Sequence, residues 1–144
     1  SNLNIDLMYA LPGQDLAGAL ADVEHALALA PAHVSHYQLT LEPNTLFAVR
    51  PPVLPDDDAA WDMQEACQAR LADAGYLQYE VSAYAPVDRR CRHNLAYWTF
   101  ADYLGIGAGA HGKLTGPDGK VVRTRKPMLP RSYLEQVGAS GALG

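Results

Sequence analysis

The sequence predicts a mixed α/β fold built on parallel strands. Two alternating segments, 3–9 and 34–41, flank one segment of helical period with short connections, the pattern of a right-handed βαβ crossover. A second segment of helical period near 56–74 is followed by a further alternating run. A parallel pair needs neighbouring strands and cover on both faces. A chain of 144 residues with one clear βαβ unit therefore reads as a piece of a larger α/β sheet or barrel.

Leu3 to Tyr9 alternates, with Leu3, Ile5 and Leu7 on one face and Asn4, Asp6 and Met8 on the other. Leu11-Pro12-Gly13-Gln14 is a turn, and Asp15 is a fitting N-cap. Leu16, Leu20, Val23 and Leu27 then recur at helical spacing until Pro31 ends the helix after Ala30. Val34 to Leu41 is the second strand, and the proline-rich stretch from Glu42 to Pro55 is a loop. Asp56, Asp57 and Asp58 stand at the positive end of a second helix, where the macrodipole favours acids, so capping accounts for the run without a cation. Its apolar stripe is Ala60, Met63, Cys67, Leu71 and Ala74, closed by Gly75. Tyr76 to Tyr84 reads as one strand, followed by a loop through Pro86 and the arginines to His93. Tyr103 to Ile106 is a short strand or turn entry. Lys113-Leu114-Thr115 and Lys120 to Arg123 flank the hairpin turn Gly116-Pro117-Asp118-Gly119, and Pro130 starts a helix. The expected organisation is 1–88 as barrel units, 89–137 as an extension, and 138–144 as a flexible Gly/Ala/Ser tail.

Composition narrows the function classes. The chain lacks an apolar run of about 18 residues and opens with no secretory pattern, so no transmembrane segment is expected. It does not begin with Met, which points to processing, a tag, or excision from a longer protein. Two cysteines, Cys67 and Cys91, suit a reducing cytoplasm better than a disulfide scaffold and cannot alone hold an iron–sulfur cluster. Residues 1–88 carry thirteen acids against two bases, while 89–144 carry nine bases against three acids. This asymmetry fits docking of complementary faces or a site for an anionic ligand such as a carboxylate-bearing cofactor. The chain as a whole is acidic and has no aromatic-interleaved basic stripe, which argues against nucleic acid.

Two motifs stand out. Gly107-Ala108-Gly109-Ala110-His111-Gly112 fits G-x-G-x-x-G, but it runs into strand-like residues rather than a helix N-terminus, so a dinucleotide fold is rejected in favour of close backbone approach. Cys91-Arg92-His93-Asn94-Leu95-Ala96-Tyr97-Trp98 concentrates an imidazole, an amide, a phenol and an indole within a few positions. Read from its residues, it is either a ligand site centred on His93 or a structural turn with core aromatics.

Three ordered segments, Asn4 to Gln14, Tyr37 to Thr45 and Tyr103 to His111, together resemble the radical S-adenosylmethionine (radical SAM) proteins related to oxygen-independent coproporphyrinogen III oxidase. Within that family the His-Asn-x-x-Tyr-Trp pattern resembles the HemW branch, regarded as haem chaperones. The resemblance spans essentially the whole chain. It implies the C-terminal part of a partial radical SAM (β/α)6 barrel with an additional strand and hairpin extension. The family's C-x-x-x-C-x-x-C loop, which holds a 4Fe–4S cluster, and the glycine-rich stretch after it are not in this sequence. The cluster ligands are thus expected outside this chain, which alone should be inactive in radical chemistry.

The resemblance also assigns residues. Asp6 matches a SAM-contacting Asp near the C-terminal end of the first strand; pairing with a neighbouring base is the structural alternative. Thr40 matches a SAM contact made through the backbone, and His36, Gln38 and Thr40 read as one polar face of the second strand. His111 matches a cofactor-proximal position, again through its backbone. His93 is the candidate haem iron ligand, with Tyr97 and Trp98 packing the porphyrin and Arg89, Arg90 and Arg92 meeting its propionates. Cys91, beside an Arg-His pair, is a reactive thiol or an ordinary loop cysteine. The implied function is part of a haem-binding, haem-delivering chaperone with SAM and a 4Fe–4S cluster as cofactors. The alternative is an oxygen-independent coproporphyrinogen III oxidase acting on a porphyrinogen, and the blandest reading is an unrelated α/β domain. Expected partners are haem or porphyrinogen and the N-terminal barrel half of the same polypeptide, with exposed strand edges favouring a homodimer.

Overall fold

The computed structural model describes residues 2–140. Its contacts divide into two units, Ser1–Cys91 and Arg92–Gly144.

In the first unit, β1 (Asn4–Tyr9) leads into α1 (Leu16–Ala28), whose first turn is capped by the Asp15 carboxylate accepting from the Gly18 N–H at 2.8 Å. The helix stops before Pro31, and β2 (His33–Gln38) returns parallel to β1 in register from Asn4↔His33 to Tyr9↔Gln38. This is the crossover that the spacing predicts. Within the stretch expected to be pure loop, Thr45 caps a single helical turn, α2 (Leu46–Val49). Asp56 caps α3 (Asp57–Asp73), and Gly75, at φ +86°, lets the chain leave it.

The run expected as one strand, Tyr76 to Tyr84, is instead a tight hairpin. β3 (Leu77–Gln78) and β4 (Ala83–Ala85) pair antiparallel around a turn that the Glu80 side chain fastens by accepting from the Ser82 N–H at 2.8 Å. β4 also runs antiparallel to β2, giving the order β1-β2-β4-β3 with β1 at an edge.

Strand alternation sends Tyr9 and Val34 into a core with Val23 of α1 and Ala60, Met63, Cys67 and Leu71 of α3. Complete burial of Val23, Val34, Met63 and Leu71 contributes about 1.5–3 kcal/mol each. Ala74, expected in the same stripe, is exposed at the helix end. A bidentate pair between Arg70 and Glu24 joins α3 to α1.

In the second unit, α4 (Arg92–Trp98) replaces the loop or turn expected around His93. The hairpin of β5 (His111–Thr115) and β6 (Val121–Arg125) follows, then α5 (Pro130–Ser140). Residues 138–140, assigned to a flexible tail from sequence, continue this helix; 141–144 lie outside the described residues. Tyr103 bridges to Lys113, and Gly105 sits so near β5 that a Cβ there would meet the His111 carbonyl oxygen at 2.4 Å. Within the Gly107–Gly112 run only Gly112 shows the close approach read from sequence, a Cβ there meeting Thr124 Oγ1 at 2.6 Å, whereas Gly107 and Gly109 take left-handed backbone at φ +99° and +74°. Among the described residues, no helix is long and apolar enough to cross a membrane.

Candidate functional site

The β1–β2 pair has two unlike faces. One carries Tyr9 and Val34 into the helix-covered core. The other carries Asn4, Asp6 and Met8, all exposed, beside their β2 partners His33, Ser35 and Tyr37. On this second face Asp6 Oδ1 accepts from Asn4 Nδ2 at 2.7 Å. Asn4 Oδ1 in turn lies 2.6 Å from His33 Nδ1. His33 is buried, and burial holds its pKa below the ordinary imidazole value despite the opposing charges of Asp6 and Glu80.

Thr40 lies past the end of β2, where its hydroxyl donates to Glu42 at 3.2 Å. It lines a cavity of about 270 Å³ with Tyr9, His36, Gln38, Gln64 and Tyr84. Tyr9 closes one wall by donating to Gln64 Oε1 at 3.0 Å. His36, Gln38 and Thr40, read from the sequence as one polar face, line this cavity together. His36 pairs in register with Leu7, so it lies on the helix-covered side, buried and stacked on Tyr9. His36 and Asp6 therefore occupy opposite faces, and Asp6 is not among the residues lining this cavity.

In the second unit, α4 presents His93 and Tyr97 on one flank, four residues apart, with ring centroids at 4.9 Å and near-perpendicular planes. Tyr97 also leans on Tyr103 at 4.8 Å. His93, Tyr97, Trp98 and Phe100 are all exposed, so the aromatics are not core residues. Of the three arginines, Arg92 opens this helix, whereas Arg89 pairs with Asp88 and Arg90 lies over the Tyr79 ring. His111 begins β5, exposed, opposite Arg125.

The chain is similar to known proteins. The chain is 57% identical over 134 residues to "Heme chaperone HemW" of Escherichia coli, a match covering 93% of this chain and 35% of that protein. Over this stretch the chain is similar to HemW proteins. The HemW of Haemophilus influenzae is 56% identical over 92% of the chain. A mouse mitochondrial "Radical S-adenosyl methionine domain-containing protein 1" is 39% identical over 96% of it. The chain spans about a third of the length of these relatives. No family model matches. The structure of E. coli coproporphyrinogen III oxidase (HemN), described as a radical SAM enzyme, superposes with a TM-score of 0.73 at 20% identity, over 98% of this chain and 35% of that one. That likeness shows the fold, which matches about a third of that structure.

Within this segment the candidate site residues fall into separate groups. Asp6 belongs to the open sheet face, Thr40 to the loop after β2, and His93 and Tyr97 to one helix flank. Cys67 is sealed in the core, where burial pushes its thiol up to about 11, so it does not suit a cluster ligand. Among the described residues no three His, Cys, Asp or Glu side chains gather to hold a metal ion. Sequence reasoning missed His33 and Tyr79. His33 immediately precedes the strand as read, and its place opposite Asn4 depends on a register that the sequence does not show.

Proposed function

We propose that this segment is part of a haem carrier of the HemW type and that His93 offers its imidazole to haem iron. The observation that carries the reading is the exposed His93–Tyr97 pair on α4, beside further exposed aromatics at Trp98 and Phe100. An accessible neutral imidazole is a good axial ligand for haem iron. Uncovered aromatic surface of this extent is suited to burial against a porphyrin face. Arg92, at the start of the same helix, supplies a cation for a propionate.

On the same reading Asp6, Thr40 and His111 serve SAM. One Asp6 oxygen is engaged by Asn4, and among the described residues none donates to the other, which suits a nucleoside hydroxyl. Thr40 and His111 would contribute through their backbones. SAM and a 4Fe–4S cluster supply radical chemistry when both are bound, and the cluster ligands would come from the rest of the polypeptide. The edge of β1 is where further barrel strands of that polypeptide would add; a second copy pairing there is the alternative occupant. The oxidase reading rests on a fold likeness at 20% identity and is not favoured beside relatives named as haem chaperones.

The test is a titration of ferric haem into the chain. A Soret shift that saturates in the native protein and is lost in His93→Ala supports the assignment. No shift in the native protein would overturn it.

A further inference from the structure

His93 stands on a helix too short to hold a side chain rigidly by itself. α4 has seven residues, none of them buried, and an isolated helix of that length is marginal in water. The support for its imidazole comes from rings. His93 meets Tyr97 near-perpendicularly at 4.9 Å, and Tyr97 meets Tyr103 at 4.8 Å with 58° between the planes. The three rings form one column that leaves the helix at Tyr97 and ends on Tyr103.

Tyr103 is the anchored end. It is half-buried, whereas Tyr97 is 51% exposed and His93 is exposed. The Tyr103 N–H donates to the Lys113 carbonyl, and its own carbonyl accepts from the Lys113 N–H, both at 2.9 Å, so its backbone is bridged to β5. Lys113 is itself buried, and its Nζ donates to the Phe100 carbonyl at 2.9 Å and to Asp102 at 2.8 Å. The short connection from α4 to Tyr103 is thus held to the same strand residue along its length. A strand bridge supports one ring, that ring supports Tyr97, and Tyr97 meets the imidazole. Aromatic pairs prefer defined offset or edge-on arrangements, so each contact restricts an angle as well as a distance. A ligand ring restricted beforehand loses less freedom when it binds.

We propose that Tyr103 is a positioning residue for His93, acting through Tyr97 on the plane of the imidazole. The functional meaning of this rests on the reading above, in which His93 binds haem iron. The geometric claim does not, and the first part of the test uses no haem.

The test begins with NMR of the His93 and tyrosine rings in the haem-free chain. The native protein is expected to show NOEs from the Tyr103 ring to the Tyr97 ring and from Tyr97 to His93. Tyr103→Ile, a residue suited to a strand, is expected to move the His93 ring resonances toward those of free histidine while the Lys113 amide stays in place. Tyr103→Phe keeps the ring and is expected to restore the native positions. Ferric haem is then titrated into each protein. Tyr103→Ile should bind about two- to tenfold more weakly, and Tyr103→Phe like the native chain. Missing NOEs in the native protein, His93 resonances indifferent to Tyr103→Ile, or equal losses of haem affinity in the two variants would overturn the assignment. If the His93 resonances respond as expected and the native chain binds no haem, the haem reading fails and the positioning of the ring stands.

Discussion

The His36 imidazole lies on the Tyr9 phenol with ring centroids 4.7 Å apart and planes 21° from parallel, and its Nδ1 has no hydrogen-bond partner. Burial holds its pKa down at about 4, far below the ordinary 6.5. The folded state therefore disfavours the proton relative to the unfolded chain. The stability this represents is complete above pH 6.5 and is lost as pH falls toward 4, on the order of 3 kcal/mol across that window. His33 is shifted in the same direction by burial. Thermal unfolding followed from pH 7 to 4 should show this loss. His36→Phe keeps the ring stack and removes the titrating group, so its slope should be shallower. Equal slopes in the two proteins would contradict the account.

The second unit is pinned by Lys113, whose Nζ donates to Asp102 Oδ1 at 2.8 Å, to the Phe100 carbonyl at 2.9 Å and to the Thr115 hydroxyl at 3.2 Å. The ammonium also stands 4.0 Å from the Phe100 ring centroid. Asp102 in addition accepts from the Thr115 N–H and hydroxyl. These hydrogen bonds, led by that of Lys113, lower the Asp102 pKa to about 2. Removing the carboxylate strands a buried cation, whereas replacing the cation by an apolar side chain of similar length does not. Asp102→Ala should therefore reduce hydrogen-exchange protection across β5 and β6 more than Lys113→Met. The reverse order would argue against the clasp.

The two thiols should separate cleanly. Cys67 is fully buried with its pKa pushed up to about 11, while Cys91 is half-buried near the surface. Thiolate availability and access both govern reaction with a disulfide reagent. One equivalent should react quickly in the native protein, at Cys91, and the second only after denaturant is added. Equal native rates would contradict the packing described for α3.

Much of the fold was legible because periodicity and caps are local. Asp15 and Asp56 cap the helices that their positions predict, and the β1–α1–β2 crossover follows from spacing alone. The β3–β4 hairpin was not legible, because Tyr76 to Tyr84 alternates evenly and the turn is fastened by a Glu80–Ser82 contact without glycine or proline. Helix α4 was hidden by its brevity and by the chemistry that drew attention to His93 as a loop residue. At the site, the resemblance marked Asp6, Thr40, His93, Tyr97 and His111, but not which sheet face each strand residue takes. That depends on register: His36 turns to the core and Asp6 away from it. The contact of Tyr79 with His33 could not be read locally, since it is made only across 46 residues of chain.

The most direct test of the central claim is to identify the haem ligand. Ferric haem bound to the ¹⁵N-histidine-labelled chain should show nitrogen hyperfine coupling from an axial imidazole in pulsed EPR. That signal should vanish in His93→Ala and persist in His111→Ala and His25→Ala. An axial imidazole that survives in His93→Ala, or none in the native protein, would contradict the account.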